Sequence, residues 1–101
     1  MPSANKVQVD FDELLVIKDR FARASDTVNT MLSNITRRMD VLENTWSGRG
    51  RDAFFNEMQS DVLPAINRLI NALNQASAEI QRTADHARQA EEGAANYFRR
   101  S

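Results

Sequence analysis

The chain has 101 residues, with thirteen basic and fourteen acidic side chains, a formal net charge of −1 and no cysteine. This length allows one domain. The chain lacks the excess of basic residues that is typical of nucleic-acid-binding proteins. The lack of cysteine excludes disulfides and thiolate chemistry. Three glycines and two prolines are too few for the frequent turns of an all-β fold. Composition therefore predicts a single, mostly helical domain.

No segment of the sequence has the composition of a membrane or leader segment. The longest apolar run is residues 14–17, whereas a membrane-spanning helix needs about 20 such residues. The first seven residues, Met-Pro-Ser-Ala-Asn-Lys-Val, contain no apolar core of the kind found in a cleaved signal peptide. We therefore expect neither a transmembrane helix nor a cleaved leader.

The first predicted helix covers about residues 10–45. Asp10, followed three residues later by Glu13, forms a start similar to a capping box. From there apolar residues recur at alternating steps of three and four, the period of a helix packed along another helix. We call these residues the α1 core stripe, and they are Phe11, Leu14, Phe21, Val28, Leu32, Ile35, Met39 and Leu42.

The second predicted helix covers about residues 48–97. Its apolar packing positions are Phe54, Phe55, Met58, Val62, Ile66, Leu69, Ile70, Leu73 and Ile80. Pro64 lies inside this pattern, removes a backbone donor and clashes with the carbonyl four residues earlier. We therefore predict a kink in a continuous helix, with two separate helices as the alternative. Residues 1–9 and 98–101 are expected to be a flexible arm and a flexible tail.

Two helices of these lengths are too long for a compact domain. They would measure about 54 and 72 Å at about 1.5 Å per residue, which predicts an antiparallel hairpin. Ile17, Ala24 and Met31 widen the apolar stripe of the first helix on one side, and Leu15 and Ala22 widen it on the other. The stripe is therefore wider than one neighbouring helix can bury. A second hairpin packed alongside would give a four-helix bundle. The stripe widths leave open whether that partner is the same chain or a related one.

The predicted turn contains Trp46-Ser47-Gly48. An aromatic cap on the hairpin and a turn glycine would explain both residues without any further function. With the chain length, the two flanking helices and Ala53-Phe54 after the turn, however, the motif resembles the WXG-hundred family. These are small substrates of the type VII (ESX or Ess) secretion pathway, and the resemblance covers essentially the whole chain.

This resemblance implies a hairpin that forms homodimers, the favoured arrangement, or heterodimers with a paralogous hairpin. It also implies export in folded form without a cleaved signal peptide, and recognition of Trp46 and Gly48 by a secretion ATPase or membrane complex. Some homodimeric members carry a helix-2 proline where Pro64 lies. The family's C-terminal Tyr-x-x-x-Asp/Glu is altered here, because Tyr97 is followed four residues later by Ser101. The chain would then use a variant signal, rely on a partner's tail or not be exported itself.

Other functions remain as alternatives to secretion. A cytoplasmic four-helix adaptor or chaperone for another helical-hairpin protein is the first, and a membrane-active helix pair is the second. Catalysis, metal binding and a cofactor are not expected, because His86 is the only histidine and the carboxylates are spread along both helices. Arg49 and Arg51 make the turn basic, as a solvated tip or as a contact for an anionic partner.

Overall fold

The computed structural model describes residues 10–100, which form an extended helical hairpin measuring 78 × 22 × 17 Å. Helix α1 spans Phe11–Thr45, α2 spans Arg49–Glu57 and α3 spans Leu63–Arg100. A π-helical turn, Met58–Val62, joins α2 to α3 without interrupting the helix. The predicted all-α antiparallel hairpin is therefore confirmed, and the predicted arm, residues 1–9, lies outside the described residues.

The start of α1 is set by a side-chain cap. The Asp10 carboxylate accepts a hydrogen bond from the backbone N–H of Glu13 at 3.1 Å, as the sequence predicts. Asp12 and Glu13 lie in the first turn, where the positive end of the helix dipole favours acidic side chains. The end of α1 also follows the prediction, because Trp46 is its C-cap and donates its backbone N–H to the carbonyl of Leu42 at 2.8 Å.

The chain reverses at residues 46–48 and depends on one glycine to do so. Gly48 has φ of 109° and ψ of −177°, and it is the only residue with positive φ among those described. Side chains with a Cβ rarely adopt this backbone conformation. Gly48 is also the N-cap of α2, where its carbonyl accepts the N–H of Asp52 at 3.2 Å. The turn therefore requires glycine at this position.

Pro64 is accommodated by a change of helix type. The N–H of Leu63 donates to the carbonyl of Met58, five residues earlier, which closes a π turn in place of an α turn. A proline ring in an α-helix clashes with the carbonyl four residues before it, and the wider turn gives that ring room. The alternative of two separate helices is wrong, because the chain is helical from Arg49 to Arg100.

The helix α3 ends later than predicted. It continues to Arg100, whereas the sequence pattern placed its end near residue 97. Gly93 lies inside the helix and does not stop it, since an interior glycine costs only about 1 kcal/mol relative to alanine. The segment predicted to be a tail is thus helical as far as Arg100, and Ser101 lies outside the described residues.

The helices α1 and α3 pack antiparallel and bury a narrow core. The hydroxyl of Ser77 donates to the carbonyl of Lys18 at 3.1 Å, and the Arg88 guanidinium lies over the Phe11 ring at 5.2 Å. Ala84 is fully buried, as Ser25 nearly is.

Among the predicted packing residues, burial is uneven. Met39 and Phe55 are buried, and Leu42 and Leu69 are exposed. The remaining thirteen are half-buried, and they are Phe11, Leu14, Phe21, Val28, Leu32, Ile35, Phe54, Met58, Val62, Ile66, Ile70, Leu73 and Ile80. One hairpin therefore leaves part of each apolar stripe uncovered. No described helix is long and apolar enough to cross a membrane.

Candidate recognition site at the Trp-x-Gly turn

The predicted motif lies at one end of the rod, which we call the tip and define as residues 43–55. Trp46 follows the last residue of α1 directly, and its indole turns toward the first turns of α2. The ring centroids of Trp46 and Phe54 are 5.6 Å apart with a tilt of 47°. The Cζ2 atom of Trp46 lies 3.7 Å from the position that a Cβ of Gly50 would occupy. One side of the indole is thus supported, and 39% of the residue remains exposed.

The aromatic contacts continue from Trp46 into the core. Phe54 and Phe55 pack edge to face, with ring centroids 5.4 Å apart and an interplanar angle of 89°. Phe55 is only 7% exposed, so this row of three rings runs from solvent to a buried anchor. Aromatic pairs in tilted or edge-to-face arrangements contribute about 0.5–1.5 kcal/mol beyond the area they bury. The exposed indole is therefore held in a defined orientation.

Arg51 connects the two helices at the tip. A guanidinium nitrogen lies 3.4 Å from the carboxylate of Glu43 in α1, and another lies 3.1 Å from that of Asp52. The same group sits 4.6 Å from the centroid of the Phe55 ring. Arg51 is half-buried by these contacts, whereas Arg49 is exposed. The prediction that both arginines are solvated at the tip is therefore wrong for Arg51.

The link between Arg51 and Glu43 was not found from the sequence. The two residues lie four positions before and four positions after Ser47, the middle of the Trp-x-Gly motif. Once the reversal is placed on that motif, opposite charges at equal distances from it are expected to face each other across the hairpin. The equal spacing of Glu43 and Arg51 from Ser47 could have predicted their contact, but only if the exact centre of the turn had been known.

The structure places Tyr97 far from the tip within one chain. Trp46 ends α1 at the closed end of the hairpin, and Tyr97 lies in the last turns of α3 at the open end. The helical segment from Arg49 to Tyr97 has a length of roughly 70 Å at about 1.5 Å per residue. A single hairpin therefore cannot bring the two residues together, and their juxtaposition requires a second molecule.

Within residues 10–100 there is no cluster of three or more acidic or histidine side chains that could hold a metal ion. His86 is exposed on α3, one position after Asp85, whose carboxylate accepts a hydrogen bond from Gln81 at 3.0 Å. What the tip offers is a supported, partly exposed aromatic surface. Its chemistry suits contact with another protein.

A helical hairpin with a Trp-x-Gly reversal defines a class of small, all-α proteins that present an aromatic tip. A family model described as proteins of 100 residues with WXG matches residues 6–92, and the chain belongs to this WXG100 family. The match includes α1, the motif and most of α3. The protein is accordingly a small protein associated with type VII secretion, in a family whose members pair with hairpin partners. Comparisons with curated proteins and with solved structures gave no match.

Proposed function

We propose that this protein is a type VII secretion substrate, or the partner of one, that is exported folded as a hairpin dimer and recognised through its Trp-x-Gly tip. The observation that carries this proposal is the setting of Trp46. The indole packs on Phe54 and stays 39% exposed at the end of a rod 78 Å long. A folded signal of this kind exists only when the hairpin has formed.

The tip has the properties of a protein-binding surface. Tryptophan is enriched among the residues that contribute most to protein–protein binding. An aromatic group that is already oriented loses little conformational freedom when a partner binds, which favours affinity. Leu42 lies one helical turn before Trp46 and is also exposed, so the indole has an apolar neighbour on the surface. A secretion ATPase or membrane complex is the partner we propose for this end.

The second part of the proposal is the dimer, whose favoured partner is another copy of this chain. Met31 in α1 is 54% exposed and Leu69 in α3 is 48% exposed, although both belong to apolar stripes. A second hairpin would cover these side chains in a four-helix bundle. In an antiparallel pair, the tip of one hairpin would lie beside the open end of the other, near its Tyr97. The secretion machinery would then read Trp46 and Gly48 beside the C-terminal helix of the second hairpin.

The decisive experiment is to replace Trp46 with Ala and to measure export together with folding. We expect Trp46→Ala to abolish export while the helical circular dichroism spectrum and the mass of the dimer stay unchanged. Val41→Ala is the matched control, because Val41 is an exposed apolar residue on α1 near the tip. Unimpaired export of Trp46→Ala would overturn the recognition role, and loss of helicity would assign Trp46 to capping the hairpin.

A cytoplasmic adaptor or chaperone for another hairpin protein is the second candidate. The observation that favours it is the C-terminus, where Ser101 stands at the position of the acidic residue in the family's export tail. An adaptor would remain in the cell and would be recovered in complex with a different hairpin chain. Recovery of the chain in the culture medium would favour secretion over this alternative.

A further inference from the structure

The buried side of α3 follows a regular seven-residue repeat, the spacing of a helix that packs along another helix. Its members are all buried or half-buried, and they are Ile66, Ile70, Leu73, Ser77, Ile80, Ala84 and Ala87. Extended back toward the tip in the same steps, this repeat reaches Asp52, Asn56, Gln59 and Leu63. An uninterrupted α-helix would therefore turn mostly polar side chains toward α1.

The side chains that pack at this end of the hairpin are displaced by one residue from that repeat. Each lies one position before a member of the extended repeat, and they are Arg51, Phe55, Met58 and Val62. Phe55 is buried and the other three are half-buried. Of the extended repeat, Leu63 is half-buried beside Val62, whereas Asp52, Asn56 and Gln59 are exposed. The displacement therefore replaces a polar set of side chains with a mainly apolar one.

The π turn, Met58–Val62, accounts for the displacement. A π turn closes its hydrogen bond over five residues where an α turn uses four, so it takes up one extra residue. One residue corresponds to a rotation of about 100° around an α-helix. The turn type therefore decides whether Phe55 or Asn56 faces α1.

Pro64 stands where it opposes an α turn. It has no N–H to donate to the carbonyl of Ser60, four residues earlier, and its ring would clash with that carbonyl in an α-helix. Residues 51–63 contain no glycine and no other proline. A kink would relieve the same clash, but the π turn does so while it keeps Phe55 buried. Without Pro64, the commoner α turn is expected.

The contacts that hold the tip use the displaced side chains. The ring centroids of Phe55 and Phe54 are 5.4 Å apart, and those of Phe54 and Trp46 are 5.6 Å apart. The Arg51 guanidinium lies 4.6 Å from the centroid of Phe55 and 3.4 Å from the carboxylate of Glu43. Rotation of α2 by one residue would turn both Phe55 and Arg51 away from α1. The support of the exposed indole therefore depends on the rotation of α2.

We propose that Pro64 is a positioning residue of the recognition site, which acts through the π turn and the rotation of α2 to hold Trp46 in its orientation. This inference rests on the proposed function, in which Trp46 is recognised. Phe54 lies ten residues before Pro64, about 15 Å along the helix. Pro64 therefore acts through the helix that carries Phe54 and not through direct contact with the indole.

Fluorescence measures the setting of the tip directly, because Trp46 is the only tryptophan in the chain. In Pro64→Ala we expect an α turn to form and α2 to rotate. Emission should shift to longer wavelength, and quenching by acrylamide should rise toward that of the chain unfolded in urea. The helical circular dichroism signal should not fall, since alanine favours a helix more than proline does. Export should nevertheless be lost, as in Trp46→Ala.

Deletion of Ser60 distinguishes a lost rotation from a general loss of stability. Ser60 is exposed, and its removal shortens the segment by one residue. In the Pro64→Ala background, a continuous α-helix without Ser60 brings Phe55 back to α1, so fluorescence and export should both recover. In the chain that keeps Pro64, the same deletion should impair both, because it puts Glu57 in the place of Met58. Two changes that are each harmful should thus restore the tip when combined.

The matched control is Ser60→Ala, which removes the same exposed side chain and keeps the length of the helix. It should leave fluorescence and export unchanged. Unchanged fluorescence in Pro64→Ala, or failure of the deletion to restore it, would overturn the positioning role. A fluorescence change that the deletion reverses, with export unimpaired throughout, would support the positioning of Trp46 and would contradict its recognition in the proposed function instead.

Discussion

The guanidinium of Arg51 lies 3.4 Å from the carboxylate of Glu43, on opposite sides of the hairpin reversal. Glu43 belongs to the last turn of α1 and Arg51 to the first turn of α2. Together with the stacking of Arg51 on Phe55, this contact ties the two helices together next to Trp46. The tip is therefore held by charge and aromatic contacts as well as by the backbone of the turn.

Arg51→Ala is expected to destabilise the hairpin by about 1 kcal/mol, because it removes a partly exposed ion pair and a cation–π contact. The measurement is the free energy of unfolding in urea. Arg49→Ala is the control and should change this free energy by less than about 0.5 kcal/mol, since Arg49 is exposed. Equal effects of the two variants would mean that the contacts of Arg51 add nothing to stability.

The two glycines of the turn are expected to differ. Gly48→Ala should destabilise the protein by about 1–3 kcal/mol, because its φ of 109° is strained for any residue with a Cβ. Gly50→Ala should be neutral or stabilising by up to about 1 kcal/mol, since Gly50 is helical and a Cβ there meets Trp46 at 3.7 Å, an ordinary contact. Thermal unfolding distinguishes them, and similar melting temperatures would contradict the assignment of the reversal to Gly48.

The cap of α1 gives a local test. Asp10→Ala should cost about 1 kcal/mol through loss of the hydrogen bond to the N–H of Glu13, whereas Asp10→Asn should cost little. Amide hydrogen exchange should report the difference, with faster exchange confined to the first turn of α1 in the alanine variant. Unchanged exchange at Glu13 in Asp10→Ala would show that the cap does not protect this turn.

Ala84 is the point of tightest packing between α1 and α3. It is fully buried, so Ala84→Leu should destabilise the hairpin by about 1–3 kcal/mol by forcing the helices apart. Ala78→Leu is the matched control, because Ala78 lies on the same helix and is exposed. The comparison uses the free energy of unfolding, and a neutral Ala84→Leu would show that the helices can separate locally at little cost.

Much of the fold could be predicted because it depends on local sequence. The spacing of Phe11, Leu14 and Phe21, the cap at Asp10 and the glycine at residue 48 each act within one or two helical turns. The confirmed ends of α1 follow from such short-range interactions. The end of α3 was predicted less well, because Gly93 weakens a helix without stopping it.

Features that depend on contacts between separate segments could be identified only from the tertiary structure. The π turn before Pro64 keeps α2 and α3 continuous, a choice between helix types that the proline alone did not specify. The contact of Arg51 with Glu43 depends on where the chain reverses. Likewise, the exposure of Leu69 follows from which side of α3 faces α1.

By itself, the sequence determined two long helices, one reversal at Trp46-Ser47-Gly48 and an excess of apolar surface, since periodicity and backbone freedom are encoded residue by residue. The tertiary structure decided which part of that surface is buried within the hairpin and which part remains exposed. It also decided that Trp46 is supported by Phe54 while partly exposed. The physical reason is that burial and orientation depend on the antiparallel register of α1 and α3, which arises only when distant residues meet.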